Sequence, residues 1–365
     1  MTSRALRPPF APMEALLVEE IPTGPGWQYE PKWDGFRAIA FRDGKDVFLQ
    51  SKSEQPLGRY FPEVLEALLA LDARRFVLDG ELVVPAGRSI SFDALLQRIH
   101  PAASRVARLA RETPAIYIVF DLLAGTDGES LTERPLAERR PLLENFAREH
   151  FARSGILFLS PASTELSTVR QWLERTGGAL DGVIAKRLDL EYRSGDRTGM
   201  QKVKKLRTAD CVAGGFRYAS ASKKLIGSIL LGLYDGEGKL HHVGFTSSFP
   251  ARERGKLLRK LKPLVRPPGF TGRAPGGPSR WSTKRSTEWE PLAPSLVLEV
   301  RYDHFSEGRF RHGTKFLRWR PDKPARRCTI DQVESESRTA TLRLLRPAAR
   351  TRSNRTRRRV VRSRG

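Results

Sequence analysis

The chain has 365 residues, 39% of them hydrophobic and 29% charged, and a formal net charge of +24. That length exceeds one ordinary hydrophobic core and implies two domains, while the charge implies a polyphosphate partner. The start, MTSRALRPPFAP, has no apolar core of a secretory signal, and no apolar run is long enough to span a bilayer; the isolated Cys211 and Cys328 argue against a disulfide framework or a cysteine zinc site, so a reducing cytoplasm is expected.

The first predicted element is a β-hairpin over residues 31–51, in which the apolar runs Phe36 to Phe41 and Val47 to Leu49 are joined by Arg-Asp-Gly-Lys. Pro62 opens a predicted helix with Leu65, Leu68 and Leu69 on one face. Short strands are predicted at Phe76–Val84, Ile116–Leu123, Ile156–Leu159, Gly182–Arg187 and Gln201–Leu206, with helices at 91–99, 103–112 and 168–176. Pro135 to His150 is also helix-like, with Pro141 expected to interrupt or restart it.

After residue 208 the texture changes. Strands are predicted at Val212–Tyr218, Leu225–Tyr234 and Leu240–Phe245, then a helix at 251–264 and a loop over 266–288 rich in Gly, Pro, Ser and Arg. Leu296–Tyr302 and Phe310–Trp319 complete five strands and one helix, a count that suits a small OB-type barrel. The expected class is α+β: antiparallel sheets flanked by helices over 1–208, a barrel over 209–335, and a disordered Arg-rich tail over 336–365. Residues 337–365 contain eleven Arg and no acid, so the tail carries +11 and the body +13. Such a block is either an incidental extension or a nonspecific arm for a polyanion.

The candidate chemistry begins at Lys32, in Glu-Pro-Lys-Trp-Asp-Gly-Phe-Arg. Lysine is a nucleophile only once its amine has lost its proton, and a crowd of cations or desolvation promotes that loss. Asp79-Gly80-Glu81 lies inside an apolar run, and Asp181-Gly182 stands immediately before another. Two such carboxylates meeting at one pocket would be oxygen ligands suited to Mg²⁺. Lys202-Val203-Lys204 alternates, which puts both amines on one face of a strand. Taken singly, each has a plainer reading: a surface lysine, an edge carboxylate, a solvated face.

Together they form an ordered series: Lys32-Trp-Asp-Gly, Ser51-Lys52-Ser53, Asp79-Gly80-Glu81, Tyr117-Ile-Val-Phe120-Asp, Asp181-Gly-Val-Ile-Ala-Lys186, Lys202-Val-Lys204 and Arg320-Pro-Asp322-Lys323. That series resembles the covalent nucleotidyltransferase superfamily over roughly residues 15–335. Within it, the chain is most similar to small bacterial ATP-dependent DNA ligases related to the ligase module of end-joining enzymes.

The resemblance implies an adenylation (nucleotidyltransferase) domain followed by an OB-fold, with ATP and Mg²⁺ (or Mn²⁺) as cofactors. It implies that Lys32 attacks the α-phosphate of ATP to give lysyl-AMP, that AMP passes to the 5′-phosphate of nicked double-stranded DNA, and that the 3′-hydroxyl then displaces it. By the same resemblance Glu30 sits beside the adenine, Phe120 stacks on it, and Arg37 and Lys52 hold ribose or phosphate oxygens. Glu81 and Asp181 orient ribose or metal, and Lys186, Lys202 and Lys204 contact the α-phosphate region. Arg320, Asp322 and Lys323 close over the pyrophosphate for the first step. The expected setting is a monomer in the bacterial cytoplasm, associated with the nucleoid, working with a DNA end-binding or other repair protein. The pattern departs from the family at Lys52, Asp181 and Gln201, where arginine, glutamate and an apolar or aromatic residue are usual. A noncatalytic nucleic-acid-binding protein would account for the charge but not for the paired Asp-Gly and Lys patterns. An RNA ligase or capping guanylyltransferase would share the chemistry.

Overall fold

The computed structural model describes residues 6–176, 180–204, 206–219, 223–276, 288–311, 313–334 and 341–345. From the N-terminus run β1 (Leu16–Val18), β2 (Trp27–Pro31), β3 (Phe36–Asp43), β4 (Asp46–Ser51), α1 (Pro62–Leu69) and β5 (Arg75–Val83). A small hairpin, β6 (Pro85–Ala86) and β7 (Ser89–Ile90), leads to α2 (Phe92–Arg98), α3 (Ala103–Glu112) and β8 (Ile116–Ala124). Then come α4 (Leu136–His150), β9 (Leu157–Leu159), α5 (Leu166–Arg175), β10 (Gly182–Arg187) and β11 (Met200–Lys204).

These elements make two sheets. The larger has the order β4-β3-β5-β8-β9 and is antiparallel except for the β8–β9 pair. All nine residues of β8 are buried, as expected of a central strand covered on both faces. The hairpin turn between β3 and β4 falls at Gly44-Lys45, where Gly44 has a φ of 64°. The α1 side chains Val64 and Leu68 join Phe76, Leu78 and Tyr117 from the sheet and Leu143 and Phe146 from α4 in one core. Burying each such large apolar side chain contributes about 1.5–3 kcal/mol. The smaller sheet has the order β1-β11-β10-β2. The short β1 and the polar-rich β2 were not visible as strands in the sequence.

The C-terminal half contains β12 (Arg207–Tyr218), β13 (Ile226–Tyr234), β14 (Leu240–Thr246), α6 (Arg254–Leu261), β15 (Glu290–Pro291) and β16 (Val297–Tyr302). It ends with β17 (Phe305–Ser306), β18 (Arg309–Phe310), β19 (Lys315–Trp319) and α7 (Asp331–Glu334). The sheet order β14-β13-β12-β16-β19 is closed by contacts between its edges: Thr246 Oγ1 donates to the Thr314 carbonyl, and the Thr314 N–H donates to that of Phe245. This is a five-stranded barrel with Leu257, Leu258 and Leu261 of α6 packed on its core.

Three expectations need correction. Helix α4 runs continuously through Pro141, because Arg139, Arg140, Leu143, Phe146 and Ala147 are buried on both sides of it and hold the helix together despite one missing donor. The strand expected over Phe310–Trp319 is divided into β18 and β19, which belong to different sheets. Part of the expected loop over 266–288 is packed: Phe270 is buried against Gly214 and Trp289, while residues 277–287 lie outside the described residues.

Residues Thr341–Leu345, assigned from sequence to a disordered tail, form a short 3-10 turn. Leu342, Leu344 and Leu345 pack beside Trp33, Val83, Ile116 and Ile118, and Leu344 also touches the cluster around Tyr29 and Val183. The rest of the tail lies outside the described residues. Among the described residues, no helix is long and apolar enough to cross a membrane.

Candidate active site

Lys32 lies in the connection between β2 and β3, where the two sheets approach each other. Its backbone N–H donates to the Gly182 carbonyl at 3.0 Å, which ties this connection to the start of β10. The glycines of the neighbouring Asp-Gly pairs have a steric reason. A Cβ on Gly35 would stand 2.1 Å from the Leu82 carbonyl oxygen, and one on Gly182, at a φ of 147°, would stand 2.0 Å from that of Val203. Glycine lets the chain pass close enough to its neighbours to bring Asp34 and Asp181 beside Lys32.

The Lys32 amine forms an ion pair with Asp181. Burial alone would lower its pKa, but Asp181, and after it Glu81 and Asp34, more than offset that and raise it. The expected crowd of cations is therefore not what surrounds the amine first. Carboxylates surround it, and in this arrangement it is held as an ammonium. Glu81 accepts from the Gly35 N–H at 3.1 Å, and burial pushes its carboxyl up to about 7 against the opposing pull of Lys32 and Arg37.

Two cavities meet at Lys32. The smaller, of about 190 Å³, is lined by Glu30, Lys32, Arg37, Lys52, Glu81, Phe120, Lys186 and Lys202, all eight singled out from the sequence. Phe120 is held between two cations, with the Arg37 guanidinium 4.7 Å and the Lys186 amine 4.6 Å from its ring centre. Lys186 also pairs with the buried Glu30 at 2.9 Å, and Gln28 donates to the same carboxylate. Lys186 thus stands at the Glu30–Phe120 end of the cavity. Lys52, 57% exposed, pairs with Glu14 at 3.0 Å. Lys202 has its pKa lowered by burial and then by Lys52, Lys32 and Lys204, so the expected cationic crowd does exist, centred on Lys202.

Asp79 is fully buried and does not line the cavity, yet it orients Arg37. Its carboxylate accepts from Arg37 Nε at 2.6 Å and from the Tyr192 hydroxyl at 2.7 Å. Tyr192 was not visible as a site residue, because it lies 113 residues from its partner.

The larger cavity, of about 490 Å³, opens on the other side of Lys32, between the two halves of the chain. Asp34 and Asp181 line it together with Arg207, His304 and Arg311 from the barrel half, and Thr341. Arg311 grips Asp34 with both Nη atoms at 2.7 and 2.6 Å and lies 3.9 Å from the centre of the Phe92 ring. His304 stands 3.6 Å from the same carboxylate.

Four predicted residues are placed elsewhere. Lys204 reaches across to Asp303 at 3.0 Å and lines neither cavity, so it does not join Lys202 at the nucleotide side. Arg320 and Lys323 are both bound to Asp210, at 3.1 and 2.7 Å, and Asp322 is bound to Arg320. None of these three lines either cavity at Lys32. Among the described residues no group of three His, Cys, Asp or Glu is arranged to hold a metal ion by itself.

Comparison with known proteins gives this geometry a context. The model of the ATP dependent DNA ligase domain matches residues 12–204, and that of the ATP dependent DNA ligase C terminal region matches 222–323. DNA ligase C2 of Mycolicibacterium smegmatis is 47% identical, over 90% of this chain and 95% of its own length. The multifunctional non-homologous end joining protein LigD of Pseudomonas aeruginosa is 32% identical, over 88% of this chain and 36% of its own length. Among solved structures, a Lig E DNA ligase superposes with a TM-score of 0.51 at 17% identity, over 84% of this chain and all of that one, a likeness of fold. With the motif lysine at the meeting of two cavities and both family models matched in order, the chain belongs to the ATP-dependent DNA ligases: an adenylation domain of antiparallel sheets followed by an OB-fold.

Proposed function

We propose that the two cavities at Lys32 divide the ligase reaction between them, the smaller taking the nucleotide and the larger the DNA nick. The observation that carries this reading is that Lys32 lines both, with aromatic, acidic and cationic side chains on one side and the interdomain opening on the other. In this reading the adenine lies against Phe120 with Glu30 and Lys186 at its edge, while Arg37, Lys52 and Lys202 face ribose and phosphate oxygens. The Lys32 amine, once deprotonated, forms a bond to the α-phosphorus as the bond to pyrophosphate breaks. The 5′-phosphate at the nick then attacks that phosphorus, and the nitrogen–phosphorus bond breaks to release Lys32. Finally the 3′-hydroxyl attacks the 5′-phosphorus and expels AMP.

Glu81 lines the smaller cavity and Asp181 the larger, one on each side of Lys32 rather than in one pocket as expected. Each would suit a hard divalent cation, since Mg²⁺ takes one or two carboxylates and completes its shell with water and phosphate oxygens. Its chemistry there would be electrostatic, neutralising phosphate charge and drawing those carboxylates away from Lys32, which favours loss of the ammonium proton. Arg320, Asp322 and Lys323 act in the first step after the barrel turns to bring them over the pyrophosphate. The arrangement held by Arg311–Asp34 and Lys204–Asp303 must open first. The functional units are 1–208 for adenylation and 209–335 for the OB-fold. The likeness to LigD supports a role in DNA repair; the setting proposed with it is the bacterial cytoplasm, as a monomer at the nucleoid with an end-binding protein as partner.

The test separates the steps. Wild-type chain labelled with α-phosphate-labelled ATP and freed of nucleotide should transfer the label to nicked duplex DNA and seal it. Lys32→Ala should take no label yet seal a duplex whose 5′-phosphate already carries AMP. If Lys32→Ala accepts label as wild type does, the assignment fails.

A further inference from the structure

The turn Thr341–Leu345 has no part in the reaction as described, yet it sits beside the nucleophile. Thr341 is buried and lines the larger cavity with Lys32. Leu342 and Leu345 pack near Trp33, the residue after the nucleophile, and Leu344 bridges to the cluster on the other sheet. The Leu342 N–H donates to the Arg88 carbonyl at 3.1 Å, next to β7. Among the described residues, the nucleotide cavity is lined by residues between 12 and 202. One side of Lys32 is thus bounded by the adenylation domain alone, while the lining of the other includes Thr341, from a segment that follows the barrel in sequence and packs behind Trp33.

We infer that residues 341–345 are an autoinhibitory strap: they cover the acceptor side of Lys32 in the resting enzyme and are displaced when nicked DNA enters. The inference rests on the reading that the larger cavity receives the nick. Three features favour a removable cover over a permanent buttress. Among the described residues the contact is five residues long, its apolar side chains are only partly buried, and one backbone hydrogen bond to the adenylation domain accompanies them. Segments with so few buried contacts open at low free energy. The chain from 346 onward also holds nine Arg and no acid. A DNA backbone at the cavity mouth attracts these charges and competes with the docked state.

Hydrogen exchange on the full-length lysyl-AMP enzyme, with and without nicked duplex, tests this. Nick binding should speed exchange of the 342–345 amides at least tenfold while slowing exchange over residues 89–93, which line the cavity. Slowed 89–93 with unchanged or slower 342–345 would overturn the strap and leave the acceptor-side reading intact. No change in 89–93 would overturn both. A full-length Leu342→Asp/Leu344→Asp variant keeps every arginine. Its single-turnover sealing at subsaturating nick should be at least threefold faster than wild type, with labelling by ATP unchanged. Sealing equal to or slower than wild type by a chain that labels normally would also overturn the inference.

Discussion

Asp79 offers the sharpest perturbation, because it lines neither cavity at Lys32 and yet orients a cation that lines one. Its buried carboxylate accepts from Arg37 Nε and Nη2 and from the Tyr192 hydroxyl. Asp79→Ala removes the acceptor of all three hydrogen bonds and strands a guanidinium whose side chain is 18% exposed. Breaking a buried ion pair from one side costs about 3–5 kcal/mol. With part of Arg37 already solvated, the lower end, about 3 kcal/mol, is expected. Arg37 also holds one face of Phe120, so the rate of Lys32 labelling by ATP should fall by about tenfold, equivalent to about 1.4 kcal/mol. Urea unfolding followed by tryptophan fluorescence, run as a double-mutant cycle, measures the stability part. Adding Arg37→Ala should recover about 1 kcal/mol relative to Asp79→Ala alone, since the orphaned charge is gone. An Asp79→Ala variant within about 0.5 kcal/mol of wild type, or a strictly additive double variant, would refute the reasoning.

Arg311→Ala removes the two-pronged grip on Asp34 and the stacking on Phe92, a loss of about 2–3 kcal/mol between the halves. Small-angle scattering should show a larger radius of gyration, and an unchanged profile would count against the clasp. His242 is pushed down to about 3, first by burial and then by Arg217, Arg309 and Arg273. The folded chain then binds fewer protons there than the unfolded chain, so stability falls as pH drops from about 6.5 toward 3; the loss at pH 5 is about 2 kcal/mol, and His242→Phe should flatten that limb of the stability curve. Asp121 is raised by burial but lowered more by its ion pair with Arg139, giving a net depression. Its stabilisation is held above about pH 4 and lost as pH falls through the depressed folded value. Asp121→Asn should therefore cost about 3 kcal/mol at neutral pH, with the gap to wild type closing in acid. A gap that stays constant to pH 2 would exclude that pair as the cause.

What was legible in the sequence was local. Lys32-Trp-Asp-Gly, Asp79-Gly-Glu and Asp181-Gly carry their steric and chemical reasons within a few residues, so the nucleophile and most of its cavity could be named without a fold. The partner of each charge could not. Asp34 meets Arg311 and Lys204 meets Asp303 only after the barrel has folded back, and no pattern along the chain ranks one carboxylate above another for a given cation. The same limit concealed the acidic surroundings of Lys32, which reverse the expected direction of its pKa. Strand β2 escaped notice because Gln28 and Glu30 are buried polar residues, Gln28 bonded to Glu30 and Glu30 to the distant Lys186, which breaks the apolar signature. The turn at 341–345 was hidden among arginines, its three leucines too short a run to suggest an element until Trp33 and Ile118 were seen beside them.

The central claim is that Lys32 is the residue that carries AMP. Full-length chain incubated with ATP and Mg²⁺, then denatured and digested, should yield one peptide heavier by the mass of AMP, with fragmentation placing the adduct on the Lys32 amine. Nicked duplex DNA added before denaturation should remove it. An adduct on any other residue, or one that persists in the presence of the nick, would contradict the account.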